Sequence, residues 1–412
     1  PFLMALASDS DLWAYVSSAG SLAAGRRDAE GSFFPYETAD RIHARWESCG
    51  PRTWILVEKD GTTRLWEPFA LRPGAAPRKR ELWKDPLSTR VRFSEEDAES
   101  GLVFSYEWAS ADSLGLVRSA RLRAARGPVR VRVLDGFVGL RPAGVDNATW
   151  NSLSYLADAY TWNEAVAGGR LGIHALYAKI WDRAEPKENF EANLAWSAGP
   201  RFADGAELPS TGLLSTRQLE DFCAGRRPVA ETLARGLRGA CLRAFEAELG
   251  AESLEWRLAL DGPRSQARVA ELAASLGRGG PSDAEIEAAL AANDEGVRAL
   301  VARADGLQGS GDPMAAAHHA ANVLFNIMRG GVFVDGTAWD KEDLLAFAES
   351  RNRPLATRLA GALSDLPARS GRAAVTEALR DADPGLRRLA REYLPLTWSR
   401  RHGDPSRPWN RF

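Results

Sequence analysis

Val129-Arg-Val-Arg-Val-Leu134 alternates apolar and basic side chains. Successive side chains of a β-strand point to opposite faces, so this pattern predicts a strand with one buried and one solvated face. Similar runs, broken by turn residues, occur at 12–17, 53–58, 64–66, 90–93, 102–108, 173–181 and 190–196. Many strands at regular spacing predict a large antiparallel β-sandwich.

The segment Lys59-Asp-Gly-Thr62 joins two of these runs. Asp-Gly accepts positive φ angles, so the segment predicts a tight hairpin turn. Residues 200–260 are mixed, and they suggest a short helix at 218–222 and a strand at 255–260. The β-rich part of the chain is therefore predicted to cover residues 1–262, including this connector.

From residue 263 onward the apolar residues follow a helical period. Helices are predicted at 265–276, 282–292, 295–303, 313–329, 341–350, 354–364, 372–380 and 385–393. Ser282 and Glu285 have capping-box spacing, and Asp312 precedes a proline at the first helical position. The predicted fold class is multidomain, β then α, with a helical linker over 263–310 and a helical domain over 311–412.

The composition excludes several classes of protein. Lys and Arg total 53 and Asp and Glu total 55, which argues against a general nucleic-acid-binding protein. The sequence contains no run of about 18 apolar residues, so no membrane span is predicted. The N-terminal residues lack the basic region of a secretory signal, so none is predicted. The three cysteines, Cys49, Cys223 and Cys241, are far apart and lack metal-site spacing. These features predict a cytoplasmic protein with no metal or other cofactor.

Fourteen tryptophans are an unusually large number for this length. Aromatic rings pack well in the core of a sheet sandwich, so most of the tryptophans are expected to be buried. Some could instead face outward and stack on sugar rings. Both interpretations stay open for individual residues.

The last stretch of the chain, 392–412, has the composition of a ligand-binding wall. Its aromatic, basic and acidic side chains include Trp398, Arg400, Arg401, His402, Asp404, Arg407 and Trp409. Rings can stack on a ligand and guanidinium groups can hydrogen-bond to it, while Pro405 and Pro408 stiffen the backbone. A terminal tail normally carries few large rings, so the cluster predicts that the chain ends within a domain.

The helix predicted at 313–329 carries a polar row on one face, made of His319, Asn322, Asn326 and Arg329. The predicted apolar side comprises Met314, Ala317, Ala321, Leu324 and Met328. A solvated stripe would more often use Glu and Lys, so these residue types favour hydrogen bonding to hydroxyl groups. A half-buried helix with a wet polar stripe is the alternative.

Residues 20–43 show neither a strand nor a helix period, which predicts a long loop. It carries Arg26, Asp28 and Tyr36 as candidate ligand contacts. Structureless segments of this length inside a compact domain are usually functional or disordered, and the aromatic residues here argue against disorder. The loop is predicted to form either the lip of a site or a domain-packing element.

The carboxylates considered for catalysis are Glu47, Glu58, Glu107, Asp158, Glu164 and Asp182. None lies in a motif that identifies it as an acid or a base, and no facing pair can be placed among them. The catalytic residues are therefore unknown.

Three segments carry a family resemblance. They are Asp11-Leu-Trp-Ala-Tyr-Val-Ser-Ser with Gly25-Arg-Arg-Asp and Phe33-Phe-Pro-Tyr-Glu-Thr-Ala-Asp-Arg-Ile-His, then His318-His-Ala-Ala-Asn-Val-Leu-Phe-Asn-Ile-Met-Arg-Gly-Gly331, and finally Ser399-Arg-Arg-His-Gly-Asp-Pro-Ser-Arg-Pro-Trp-Asn-Arg-Phe412. The chain resembles the N-terminal part of large bacterial proteins related to cellobiose phosphorylase and glycogen-debranching-type glucosidases. Glu37 and Ala39 depart from the pattern, where another aromatic and an acidic residue are expected.

The resemblance implies a supersandwich-like β-sandwich, a helical linker and the beginning of an incomplete (α/α)6 toroid whose cavity binds sugars. It places the catalytic carboxylates beyond this chain and makes the terminal cluster an early toroid loop. The implied function is cleavage of glucosidic bonds by hydrolysis or phosphorolysis, with an oligosaccharide or glucan as substrate and inorganic phosphate in the second case. The alternative is a non-catalytic carbohydrate-binding or scaffold module, and a homo-oligomer is left open.

Overall fold

The computed structural model describes residues 2–59, 61–71, 79–153, 155–178, 180, 190–303, 306–307, 312–328, 331–333, 338–393 and 396–398. The chain forms two compact units, Pro1–Gly296 and Val297–Phe412. The predicted boundaries at 262/263 and 310/311 stay predictions.

The strands are β1 (Leu3–Leu6), β2 (Leu12–Ser17), β3 (Leu22–Arg26), β4 (Gly50–Lys59), β5 (Thr62–Trp66), β6 (Lys79–Lys84), β7 (Val91–Asp97), β8 (Leu102–Ala111), β9 (Gly115–Ala124), β10 (Val129–Leu140), β11 (Thr161–Val166), β12 (Leu171–Leu176), β13 (Glu191–Arg201), β14 (Ser210–Leu213), β15 (Leu233–Arg235), β16 (Gly239–Leu249), β17 (Leu254–Ser265), β18 (Gly331–Phe333), β19 (Ala338–Asp340), β20 (Arg369–Gly371) and β21 (Leu396–Trp398). The helices are α1 (Ala39–Ala44), α2 (Asn147–Leu153), α3 (Tyr155–Asp158), α4 (Leu219–Cys223), α5 (Gln266–Gly277), α6 (Asp283–Arg303), α7 (Pro313–Met328), α8 (Lys341–Arg351), α9 (Arg353–Ala362), α10 (Arg372–Ala378) and α11 (Pro384–Glu392).

The described strands of the first unit form three antiparallel sheets. Their strand orders are β14-β16-β10-β4-β5, β15-β11-β12-β13-β17-β9-β8-β7-β6 and β1-β2-β3. Val133 and Ile55 of the five-stranded sheet share one buried cluster with Leu116 and Leu258 of the nine-stranded sheet. The predicted antiparallel β architecture is therefore confirmed.

The alternation in β10 has the predicted effect on burial. Val131 and Val133 are fully buried, whereas Arg130 is exposed and Arg132 is half-buried. β4 and β5 form the predicted hairpin, with Lys59 opposite Thr62. Gly61 has a φ of 76°, a value that glycine adopts without a steric penalty.

Most of the tryptophans whose side chains are described lie in the core. Trp54, Trp66, Trp108, Trp150, Trp196, Trp256 and Trp339 are buried. Trp83 is 48% exposed, and Trp13, Trp46 and Trp162 are half-buried. The core interpretation thus holds for most of them, and Trp13 is considered with the candidate site.

Helices α5 and α6 cover part of the outer face of the nine-stranded sheet. Val269 of α5 and Ile286 of α6 share a buried cluster with Trp196 of β13. The predicted capping box is confirmed, because Ser282 N donates to Glu285 Oε2 at 2.8 Å and Glu285 N donates to Ser282 Oγ at 3.3 Å.

The prediction of two separate helices at 282–292 and 295–303 is wrong, since α6 is continuous. The residues between the two predicted helices include Asn293, whose short polar side chain is of a type that often competes for backbone hydrogen bonds. Its Oδ1 instead accepts hydrogen bonds from Ser8 Oγ at 3.0 Å and Asp9 N at 3.1 Å. The side chain is used in a tertiary contact, and the helix passes through this position.

The prediction of a long loop at 20–43 is also wrong. This segment contains β3, a 3-10 turn at Ala29–Gly31 and α1. Every residue of β3 is buried, so the strand shows none of the alternation that identifies a half-exposed strand. One other prediction needed a smaller change: the strand predicted at 173–181 ends at Leu176, and its last predicted residue, Trp181, lies outside the described residues.

The second unit has its own core. Leu344 of α8, Leu359 of α9 and Leu389 of α11 pack together with Trp339 of β19. Capping side chains define the starts of these helices, as where Asp340 Oδ1 accepts from Glu342 N at 3.0 Å. The predicted helical character is confirmed, and the beginning of a toroid stays a prediction.

Helix α7 begins as predicted, but only part of its predicted apolar side is buried. Asp312 Oδ1 accepts from Met314 N at 2.9 Å, which confirms the cap. The buried residues are Ala320, Val323 and Leu324, whereas Met314 is 65% exposed. Leu324 is buried as predicted, whereas the placement of Met314 and Ala321 on the buried side is wrong. The error arose because small alanines are compatible with either face.

Candidate functional site

Much of the predicted site lies outside the described residues. These positions are Arg329, Arg400, Arg401, His402, Asp404, Arg407 and Trp409. Trp398 belongs to β21 and Asn326 to α7, but their side chains are not described. Their roles as ligand contacts stay predictions.

Two further predicted contacts, His319 and Asn322, lie on α7. His319 is half-buried and Asn322 is exposed. His319 precedes the buried Val323 by four residues and so borders the buried side of the helix, whereas Asn322 lies on its exposed side.

Arg26 is buried in the first unit, where it joins three carboxylates. Its Nη1 donates to Asp11 Oδ1 at 2.6 Å and to Asp112 Oδ1 at 2.8 Å, while its Nε donates to Asp261 Oδ1 at 2.7 Å. Burial acts to lower the pKa of Arg26, but Asp261 and the hydrogen-bonded carboxylates outweigh it and raise the pKa. This geometry makes Arg26 a link between β3 and the ends of other strands.

Asp28 organises the turn that follows β3. Its Oδ1 accepts hydrogen bonds from Glu30 N at 3.0 Å and Gly31 N at 3.2 Å. Its backbone oxygen accepts a hydrogen bond from Trp13 Nε1 at 3.1 Å. Asp28 therefore orients the indole of Trp13 and keeps its own side chain at the exposed surface.

Tyr36, the third candidate in this region, belongs to an exposed group of aromatic rings. Its ring meets Trp13 edge-on, with centroids 5.8 Å apart and planes at 88°. Trp13 also contacts Tyr15, at 6.2 Å between centroids. Tyr36 is 46% exposed and Tyr15 is 41% exposed. Trp13, Tyr15 and Tyr36 together are called the aromatic surface.

Small residues form the floor of this surface. Trp13 lies opposite Gly25 and Tyr15 lies opposite Ala23, while Ala5 faces Tyr15 from the other side. A Cβ atom on Gly25 would lie 2.8 Å from Cζ2 of Trp13. Because Gly25 has no side chain, the indole of Trp13 can pack directly against the sheet. In this position the indole contacts both exposed tyrosines.

Polar residues are close in the chain to the residues that carry the rings. Arg27 and Asp28 follow β3 and are exposed. Glu37, next to Tyr36, pairs with Arg45 at 2.8 Å. The arrangement offers flat apolar faces beside hydrogen-bonding groups, which suits a ligand that has both C–H faces and hydroxyl groups.

Sequence reasoning identified Tyr36 but did not single out Trp13 or Tyr15. The strand at 12–17 was predicted, and its i, i+2 spacing places both rings on one face of β2. The sequence alone does not show that β1 and β3, the neighbours of β2, carry small residues on this face.

Four of the candidate carboxylates make the following polar contacts. Glu58 pairs with Arg132 at 3.2 Å, Glu107 with Arg92 at 2.7 Å, and Asp158 with Arg238 at 3.1 Å. Glu164 accepts a hydrogen bond from Trp162 Nε1 at 3.0 Å. Asp182 lies outside the described residues. These partners give the four groups structural roles, Asp158 at the end of α3 and the other three on strands.

Within the described parts of the chain, no group of three or more His, Cys, Asp or Glu side chains is arranged to hold a metal ion. Among the helices that the structure describes, none is both long and apolar enough to cross a lipid bilayer.

No family model matches the chain, and no curated protein does so either. Among solved structures, it is similar to a bacterial glucoamylase complexed with acarbose, with 10% identity, 76% of this chain and 39% of that chain covered, and a TM-score of 0.43. It is also similar to a GalM/aldose epimerase homologue from C. elegans, with 10% identity, coverage of 64% and 99%, and a TM-score of 0.36. A polysaccharide lyase gives 10% identity, coverage of 61% and 32%, and a TM-score of 0.33. The chain spans about two fifths of the glucoamylase, and these three similar structures are named as carbohydrate-active enzymes or a homologue of one.

Proposed function

We propose that this chain is the N-terminal part of a carbohydrate-active protein and that the aromatic surface contacts a glycan. The observation that carries the proposal is the exposure of Tyr15 and Tyr36 on either side of Trp13. Contiguous exposed apolar surface is a feature of ligand-binding and interaction sites.

The chemistry of the border favours a glycan over a purely apolar partner. A pyranose ring presents C–H groups that can stack on Tyr15 and Tyr36, and its hydroxyl groups need polar partners at the edges. Asp28 contacts Trp13 through its backbone oxygen, and Arg27 and Glu37 are the chain neighbours of Asp28 and Tyr36. Trp13 donates its N–H to Asp28, so the ring that supports the surface is held in place.

The reaction proposed for the complete protein is cleavage of glucosidic bonds, by hydrolysis or by phosphorolysis. The support is the sequence resemblance, together with the Arg401 and Trp409 region as a proposed sugar contact. The complete protein should cleave glucans, and both Arg401→Ala and Trp409→Ala should reduce turnover or sugar affinity. Unchanged kinetics in both variants would remove these residues from the site. Dependence of turnover on inorganic phosphate would favour a phosphorylase.

A non-catalytic glycan-binding module is the second candidate. The observation in its favour is that Glu58, Glu107 and Asp158 are held in ion pairs. Glycan binding without turnover by the complete protein would favour this module over the enzyme.

The aromatic surface has its own test, which does not depend on the reaction. Retardation of the protein in a gel containing soluble glucan should fall in Tyr36→Ala. Trp83→Ala is the matched control, because Trp83 is equally exposed but lies on β6. Equal retardation of wild type and Tyr36→Ala would contradict the proposal.

A further inference from the structure

A second site is suggested by an open cleft of about 420 Å³ on the five-stranded sheet. It lies on the face where Ala244 and Phe222 pack, which is the face opposite the sandwich core. The residues that line it and matter for its chemistry are Arg132, Thr211, Arg226, Arg227, Pro228 and Glu246. Cavities of this volume are in the usual range for small-molecule sites.

The loop that closes one side of the cleft is fastened to the sheet. Arg132 Nη1 donates to the backbone oxygen of Gly225 at 2.6 Å. Arg227 donates from Nε and Nη2 to the two carboxylate oxygens of Glu246, at 2.8 and 2.9 Å. Phe222 anchors the preceding helix, with 2% of its surface exposed. The cleft is thus preformed and does not require a ligand to assemble it.

The polar lining is mainly cationic. Three guanidinium groups line the cleft, and of the carboxylates that pair with them only Glu246 lines the cleft itself, because Glu58 and Asp221 lie outside the lining. Arg132 Nε lies 3.2 Å from Oε1 of Glu58, and Nη1 donates to Gly225, as described above. The described contacts of Arg132 therefore use Nε and Nη1. The Nη2 group of Arg132 is the part that these described contacts leave for a ligand.

Arg226 is the group that can exchange its partner most easily. Its side chain is 66% exposed and its partner Asp221 is 53% exposed. Ion pairs at such exposed positions contribute little to stability, so replacing Asp221 by a ligand acid has a small cost. Guanidinium groups bind carboxylates and phosphates through two parallel hydrogen bonds, which gives this position selectivity for anions.

We propose that this cleft binds a small organic anion, a carboxylate or phosphate carried on a body of about the size of a monosaccharide. The acid group lies against Arg226 and Arg132, and Pro209 and Pro228 provide apolar walls for the body. Thr211 and Glu246 provide hydrogen bonds to hydroxyl groups. The site is distinct from the aromatic surface, and its occupancy does not depend on glycan binding there.

Calorimetric titration of the full chain at low ionic strength tests the proposal. The probes are glucose 6-phosphate, glucuronate, inorganic phosphate and glucose. At least one of the two acidic sugars should bind at least tenfold more tightly than glucose and more tightly than inorganic phosphate. The comparison of the two acidic sugars shows whether phosphate or carboxylate is preferred.

Arg226→Ala should weaken binding of the acidic sugar by about tenfold, the loss expected for one charge-assisted contact of 1.4 kcal/mol. Arg121→Ala is the matched control, because Arg121 is 58% exposed and pairs with Glu255 on the other sheet. Thr211→Trp, which fills the cleft, should abolish binding while cooperative unfolding is retained. Equal affinity for glucose and both acids, no saturable binding of either acid, or equal effects of Arg226→Ala and Arg121→Ala would overturn the proposal.

Discussion

The indole ring of Trp13 lies across Gly25, its register partner on the neighbouring strand. A Cβ atom at Gly25 would lie 2.8 Å from the ring, 2.7 Å from Cα of Ser32 and in overlap with the backbone oxygen of Gly31. Two of these three neighbours are backbone atoms, which cannot move aside without shifting the turn after β3. The aromatic surface therefore depends on the absence of a side chain at this position.

Gly25→Ala should destabilise the first unit by about 1–3 kcal/mol, the usual cost of overpacking a close contact. The measurement is the free energy of unfolding in urea. Gly250→Ala is the control, because a Cβ atom there meets nothing within 4 Å. Equal stability of the two variants would show that the close approach of Trp13 and the turn to Gly25 does not exist.

A second prediction concerns the buried ion pair between Arg118 and Asp135 in the sandwich core. Their side chains are 1% and 0% exposed, and Asp135 also accepts hydrogen bonds from Thr53 Oγ1 at 2.5 Å and Trp256 Nε1 at 2.6 Å. Asp135→Ala leaves the Arg118 charge buried without its carboxylate, which should cost about 3–5 kcal/mol of unfolding free energy.

The comparison for Asp135→Ala is Glu255→Ala, which removes the exposed partner of Arg121. That change should cost less than about 1 kcal/mol. Both values come from urea unfolding at neutral pH. Similar losses in the two variants would contradict the buried position of the Arg118–Asp135 pair.

A third prediction concerns the pH dependence of stability. Burial lowers the pKa of His174 to about 3, and its Nδ1 faces Asn163 Oδ1 at 2.8 Å. Asn163 uses its amide nitrogen to donate to Ala234 O and Leu237 O, so its oxygen accepts the proton of Nδ1. The folded state therefore holds a neutral imidazole.

Because the folded pKa is depressed, the stabilisation is complete above the unfolded pKa of about 6.5 and is lost as pH falls toward 3. Between pH 6.5 and 5, where most carboxylates stay ionised, the unfolding free energy should fall with a slope approaching about 1.4 kcal/mol per pH unit. His174→Gln should flatten this slope. His43→Gln, which removes another imidazole of the same unit, should keep it, and an unchanged slope in His174→Gln would count against a buried neutral His174.

The parts of the fold that could be predicted from the sequence are those with a local periodic signal. β10 alternates Val with Arg, and α6 and α7 begin at capping residues, so each was identified from its own residues. β3 was missed because it is buried on both faces and has no alternation. The continuity of α6 was missed because Asn293 acts through a distant contact with Ser8.

The candidate site was only partly predictable for the same reason. Tyr36 was identified from a cluster of aromatic residues in the chain, whereas Trp13 and Tyr15 became candidates only through their neighbours on β1 and β3. The buried contact between Arg26 and Asp261 joins residues that are more than 200 positions apart in the chain. No local pattern shows such a contact, so exposed and buried arginines look alike in the sequence.

The most direct test of the central claim is a calorimetric titration of the full chain with a soluble gluco-oligosaccharide. Wild type and Trp83→Ala should bind with the same affinity. Tyr15→Thr and Tyr36→Ala should each weaken binding by about fivefold, corresponding to about 1 kcal/mol for the loss of one stacking ring. Binding that is unchanged in both tyrosine variants, or that falls equally in Trp83→Ala, would contradict the assignment of the aromatic surface as the glycan-contacting site.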